Sequence, residues 1–417
     1  MILYIDPGTG SMLFAVLIGL IGAAVYLIKT WLIKLRFLLS GGKRVESDTR
    51  IPLAIFSDDK RYWSVFRPVC AELDRRGIDV VYLTASPDDP GLQSGLAHVK
   101  AEFIGEGNRA FARLNFLSAD ILLSTTPGLD VYQWKRSKKV SWYVHMLHAP
   151  NTVLGYRMFG IDFYDALLLS GQYQVEDVRA LEKLRALPPK EIVKIGIPYL
   201  DDKAAQLALD GPVGEHPRTI LLAPSWGKSA ILSRFGERIL ELLLATGYHI
   251  IVRPHPQSFT SEAALLESLM KRFPESQQLE WNRDSDNYQV LRRSDLMISD
   301  FSGVMYDYFL VYDKPVIYTD TKLDKSPYDS WWLDTPLWNL ETLPKIGKLL
   351  TVENLPNLKE LIDTCITGSD YAEGRRQARA ETWEYPGQGA VRAADYLERK
   401  LKELSAAGSG QEKGVRV

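Results

Sequence analysis

Residues 295–318 read DLMISDFSGVMYDYFLVYDKPVIY. Residues 296–299 are a short apolar run, 304–311 a helical stretch, and 316–318 an apolar β-rich run again. A small polar turn joins the first strand to the helix. Strand, turn, helix and strand in this order make one βαβ unit. Strands that are apolar throughout, without alternation, belong to parallel sheets covered on both faces. The same pattern extends outward in both directions. Residues 52–56, 79–83, 120–124, 140–146, 166–169 and 192–196 form one series of candidate strands. Residues 219–223, 249–253, 296–299 and 316–318 form a second. Helical stretches at 63–76, 174–187, 234–246, 262–273 and 304–311 separate most of them. Repeated βα units predict a doubly wound α/β fold.

The two series are divided at 201–218, which contains DGPVGEHPR. Gly211, Pro212, Gly214 and Pro217 mark it as a linker. The expectation is two Rossmann-like domains facing a cleft, at 47–200 and 215–400. The tail 406–417, AAGSGQEKGVRV, reads as disordered.

Composition narrows the classes. The chain has 417 residues, 50 basic and 52 acidic, with 46% hydrophobic and 24% charged residues. That is ordinary for a globular protein and excludes disorder as the main state. One long apolar run exists, SMLFAVLIGLIGAAVYLI at 11–28, which excludes a polytopic membrane protein. With its extension to residue 33 it is long enough to cross a bilayer. Lys29, Lys34, Arg36, Lys43 and Arg44 follow it. The positive-inside bias then predicts residues 1–44 as a single-pass anchor in the plasma membrane, with the body on the cytoplasmic side. The body itself is mildly acidic and is not expected to bind nucleic acid. Cys70 and Cys365 stand alone, in neither a disulfide framework nor a metal spacing.

Ligands of open parallel sheets bind beyond the carboxyl ends of the strands. His148 follows the strand ending at 146, and Gly196 ends the strand at 192–196. Ser225 and Trp226 follow the strand at 219–223. Arg253 and His255, in RPHP, end the one at 249–253. Ser299, Asp300, Ser302 and Gly303 end the one at 296–299. The helix starting near Val304 offers free backbone N–H groups, and Ser302 a hydroxyl, to a phosphate. His145 and His148 are three apart, which on a strand puts them on opposite faces, so a metal pair is not expected. His148, nearer the strand end, is the candidate base, because imidazole titrates near neutrality without tuning. APSWGKS at 223–229 lacks the first glycine of a phosphate-wrapping loop, and no Gly-x-Ser-x-Gly elbow is present.

These residues resemble the CDP-glycerol glycerophosphotransferases of teichoic-acid synthesis, a family with two Rossmann-like domains in the GT-B arrangement. The matching pieces are LHAP, YDALLLSG, KIGIPYLDD, LLAPSW, VRPHP and the stretch at 295–318. Ala149, Gly227 and Gly303 stand where the family often has glycine, arginine and serine. The resemblance implies that an acceptor hydroxyl attacks the β-phosphorus of CDP-glycerol and CMP leaves. It implies His148 as the base, with Asp300 as the next candidate, and His255 with Ser302 on the donor pyrophosphate. Arg253, Ser299, Gly303, Ser225 and Gly196 complete the expected donor set. The implied partners are a CDP-activated polyol and a lipid-linked or glycan acceptor, with no cofactor or resident metal. A GT-B nucleotide-sugar glycosyltransferase or 2-epimerase is the alternative reading. A non-catalytic membrane scaffold is a third.

Overall fold

The computed structural model describes residues 50–413, except 285, 321–323 and 335. Two parallel sheets organise it. The first contains β1 (Ile51–Ser57), β2 (Val80–Thr84), β3 (Val99–Phe103), β4 (Ala119–Ser124), β5 (Val140–Met146), β6 (Ala166–Leu169) and β7 (Glu191–Lys194). Its order is β3-β2-β1-β4-β5-β6-β7. The second contains β8 (Thr219–Leu222), β9 (His249–Val252), β10 (Leu279–Trp281), β11 (Leu296–Ser299), β12 (Val316–Thr319) and β13 (Gly347–Leu350), in the order β10-β9-β8-β11-β12-β13. In each sheet the order reverses beside its first strand, between β1 and β4 and between β8 and β11. Those switch points open the crevices where ligands bind.

The expected strands are all present, and three more appear. β3, β10 and β13 are edge strands, paired on one side only. The first of them is mostly half-exposed, so it carries no continuous apolar run. The central strands β6, β8 and β11 are buried at every position.

Residues from Ile51 onward form one contact unit, and one buried cluster takes members from both sheets. The helix Pro198–Asp210 packs on Trp63–Arg75 and on Val304–Tyr312. Polar contacts follow the same seam. The Tyr199 hydroxyl donates to Asp307 at 2.7 Å, and the Tyr173 and Trp338 rings stack at 4.0 Å. Arg185 pairs with Asp329.

Two expectations about the C-terminal region change. The last helix, Gly389–Lys413, belongs with the first sheet and not with 215–400, because its apolar side closes over Trp63–Arg75. Arg76 Nη1 pairs there with Asp395 at 2.7 Å, and Trp142 Nε1 donates to the Tyr396 hydroxyl at 3.0 Å. The same helix continues through 406–413, most of the stretch whose composition suggests disorder. The apolar run at 11–33 lies outside the described residues. Among those described, no helix is long and apolar enough to cross a membrane. Cys70 and Cys365 are buried free thiols.

Candidate active site

Three adjacent strands of the first sheet, β1, β4 and β5, end side by side. Their ends carry Asp58, Thr125 with Thr126, and His148. His148 Nδ1 lies 3.2 Å from Thr125 Oγ1, which leaves Nε2 as the second ring nitrogen available for chemistry. The rings of Tyr62 and Tyr156 flank it, with centroids at 4.9 and 6.1 Å. Burial lowers the His148 pKa to about 4. The Arg61 charge adds to this and the contact with Thr125 opposes it. The imidazole is therefore neutral at pH 7, the form a base needs. His145 is fully buried, 3.1 Å from the Tyr156 hydroxyl through Nε2, and burial pushes it to about 3. It packs inside the sheet's layer.

Asp58 and Thr126 lie at the same strand ends as His148, with Asp58 Oδ1 and Thr126 Oγ1 both buried. Burial raises the Asp58 pKa, and a hydrogen bond with the Thr126 side chain partly offsets it. Next along the loop, Arg61 is clamped by Asp59, with Nε at 2.8 Å and Nη2 at 3.2 Å from its two oxygens. The Arg61 charge depresses both His148 and His255. It therefore stands within electrostatic reach of both walls of the cleft.

The second wall comes from β9 and β11. His255 Nδ1 accepts from the Gln257 backbone N–H at 3.1 Å. In the neutral ring the proton then sits on Nε2, as a donor. Burial lowers its pKa, Arg61 lowers it further, and Glu262 opposes. Trp226, 43% exposed, lies with its ring centroid 6.4 Å from that of His255. At the start of Val304–Tyr312, the carbonyls of Ser302 and Gly303 accept from Met305 and Tyr306 N–H at 3.2 and 3.0 Å. The earliest N–H groups of the helix stay outside that ladder. A Cβ on Gly303 would come 3.2 Å from Asn151 Nδ2, and Asn151 is three residues past His148. The two loops thus meet at Gly303.

The remaining candidates do other work. Asp300 is 1% exposed, and its carboxylate accepts from Ser225 N–H at 2.9 Å and Ile231 N–H at 3.0 Å. It holds the loop 223–231 through these backbone donors. Ser225 joins the site through that backbone contact. Ser299 is buried and donates to the Ala223 carbonyl at 2.7 Å, tying β11 to β8. Arg253 turns sideways to Asn282 and to the Asp284 carbonyl, the latter at 2.8 Å. Gly196 does not touch the donor wall. It has φ +82°, and a Cβ there would lie 2.3 Å from the Glu384 carbonyl, where the chain returns to the first half. Asp58, Arg61, Tyr62 and Thr126 escaped the sequence reading. SDDKRYW at 57–63 follows a strand end like the others, and its charge cluster is the signal that was available. Among the described residues, no group of three or more His, Cys, Asp or Glu is placed to hold a metal ion.

Residues 162–382 match the family model of the CDP-glycerol:poly(glycerophosphate) glycerophosphotransferases. The match covers more than half of the chain, and the chain belongs to this family of transferase enzymes. Solved structures share its fold. One is the wall teichoic acid polymerase TagF, as a histidine-to-asparagine variant soaked with CDPG. It is 15% identical, with a TM-score of 0.57 over 90% of this chain and 98% of that one. Another is the Methanocaldococcus jannaschii UDP-GlcNAc 2-epimerase, in complex with UDP-GlcNAc and UDP. It is 12% identical, with a TM-score of 0.52 over 84% of this chain and 100% of that one. No curated protein matches the chain. Fold is therefore common to transferases and epimerases, and the family match is what separates them.

Proposed function

We propose that the chain transfers glycerol phosphate, or a related polyol phosphate, from CDP-glycerol to a hydroxyl of a cell-envelope acceptor. The observation that carries this is the pairing of a neutral His148 with a donating His255, both within reach of Arg61, in a chain of this family. The acceptor oxygen attacks the β-phosphorus, and its proton passes to His148 Nε2. The bond from that phosphorus to the CMP oxygen breaks, and CMP leaves with the electron pair. His255 Nε2–H, the Ser302 hydroxyl and the helix start at Gly303–Val304 bind the phosphate oxygens. Arg61 supplies positive charge. Placement and charge stabilisation are what phosphoryl transfer needs most. The donor's own negative charge raises the His148 pKa toward neutrality when it binds, which makes the base stronger in the complex that reacts.

Our reading of the N-terminal region is a single crossing at 11–33 with the body on the cytoplasmic side. It rests on the uncharged run and the basic residues that follow. Reporter fusions after residue 50 test it, and activity outside the cytoplasm would overturn it.

The reaction is tested by CMP release from CDP-glycerol by the purified protein, with and without membrane extract, alongside CDP-ribitol and UDP-sugars. CMP release that depends on a CDP-polyol supports the reading. Turnover of a UDP-sugar alone would replace it with the glycosyltransferase or epimerase one.

A further inference from the structure

Gly303 is a glycine without a backbone reason. Its φ of −60° and ψ of −25° are ordinary helical values that any residue adopts. Glycine there loses more chain entropy on folding than a residue with a side chain would. The reason is space. A Cβ at this position would lie 3.2 Å from Asn151 Nδ2 and 3.8 Å from Asn151 Oδ1. The first distance is tighter than a Cβ ordinarily accepts. The Asn151 amide therefore covers the side of the turn where a side chain at 303 would stand.

The loop that carries this amide is pinned. One helix, Gln172–Arg185, grips all three residues 150–152. The Tyr173 hydroxyl donates to the Pro150 carbonyl at 2.9 Å, and Gln174 Nε2 donates to the Asn151 carbonyl at 2.8 Å. The Thr152 hydroxyl donates to Asp177. Asn151 is thus held by its backbone, and its side chain reaches past the clamp to the opposite wall. That wall has donors to offer as well. Ser302 is only 8% exposed, and among the described residues its hydroxyl has no hydrogen-bond partner. With the first N–H groups of Val304–Tyr312 it faces a place that suits a ligand rich in acceptors. An amide NH₂ adds further donors to that set.

We propose that Asn151 is a donor-binding residue carried on the acceptor wall. Its Nδ2 donates to an oxygen of the phosphate held at Ser302–Val304, in the space that Gly303 leaves. This rests on the reading of that turn as the diphosphate site. Asn151 lies three residues past His148 on the same pinned loop, so the phosphate it reaches is the one under attack, the β-phosphate. A bound donor then fixes the His148 loop at its working distance from the phosphorus.

The test titrates the full chain with CDP and with CMP, which differ by the β-phosphate. Asn151→Ala should weaken CDP about ten-fold and leave CMP at the wild-type value. Asn151→Asp keeps the shape but sets a carboxylate beside the phosphate, and should weaken CDP by about a hundred-fold or more. Gly303→Ala should weaken CDP in the wild-type background and nothing further in Asn151→Ala, where the amide it displaces is gone. Equal losses for CDP and CMP, or full CDP affinity in Asn151→Ala with only turnover reduced, would overturn the contact. So would additive losses in the double variant. Thermal midpoints accompany each titration, and if Asn151→Ala unfolds early the isosteric Asn151→Asp decides by the same CDP-to-CMP comparison. A wild-type protein that binds CDP no more tightly than CMP removes the diphosphate site and this contact with it. The expected binding pattern in a protein that turns over no CDP-polyol removes the transferase reading alone.

Discussion

His148 is neutral in the free protein because burial outweighs the other influences on its ring. A base held at about 4 stays deprotonated well below the ordinary histidine range, so protonation removes it only in acid. The acid limb of kcat/KM, which reports the free enzyme, is therefore expected well below pH 6.5. In the donor complex the added negative charge raises the same pKa, so the limb of kcat lies at higher pH. A pH profile measured in both regimes checks this, and coincident limbs would refute it. Replacing His148 by alanine should lower turnover by at least about a hundred-fold while affinity for a CDP ligand stays near wild type. His145→Ala should act on stability instead, since that ring is buried in the sheet's layer. On the opposite wall, His255→Ala and Ser302→Ala should each weaken binding of a CDP ligand by about ten- to a hundred-fold. Isothermal titration gives the answer, and unchanged affinity in both would move the phosphate site elsewhere.

Among elements, the loop 223–231 depends most on one side chain. Asp300 accepts from the backbone at both ends of its turn, and Gly227 N–H is fixed separately by Glu262 at 3.0 Å. Asp300→Ala leaves two buried N–H groups without their acceptor, a cost of about 2–6 kcal/mol at 1–3 each. Chemical denaturation should show that loss, and donor affinity should fall with it because Trp226 rides on the loop. The strand ends around this loop were legible because parallel strands are apolar throughout and stop at polar turns. That rule puts His148, His255 and Ser302 just past strand ends, where the structure has them. It does not show that Asp300 and Ser299 also tie neighbouring segments together. Those ties run to hydrogen-bond partners 69 to 76 positions away, and local pattern does not carry them. Edge strands escaped for a related reason, since a strand with one neighbour needs no unbroken apolar run. Asp58 and Arg61 were within reach of the same rule, but they lie outside the stretch that resembles the family.

For the whole molecule, the return of the chain at 383–389 matters as much as the linker at 211–218. Trp383 Nε1 and the N–H groups of Gly387 and Gly389 all donate to Asp201, at 2.9, 2.6 and 2.8 Å. Gly196 lets Glu384 pass at backbone distance. Gly196→Ala combines a left-handed φ with a clash against a carbonyl, and should cost roughly 2–4 kcal/mol. Gly211→Ala, at φ +66° with open space around it, should cost only about 1 kcal/mol. Equal losses in urea titrations of the two variants would mean the crossing is loose.

That crossing also bears on how the protein is made. The last strand of the first sheet ends at Lys194, but the helix that covers Trp63–Arg75 begins only at Gly389. At about 5–20 residues per second, a ribosome takes roughly 10–40 s to span that interval. Throughout it, the face of Trp63–Arg75 that packs on this helix waits without its cover. The half of the molecule translated first is completed only after the second sheet, so holdase binding to nascent chains should concentrate on it and end once the helix from Gly389 has left the exit tunnel.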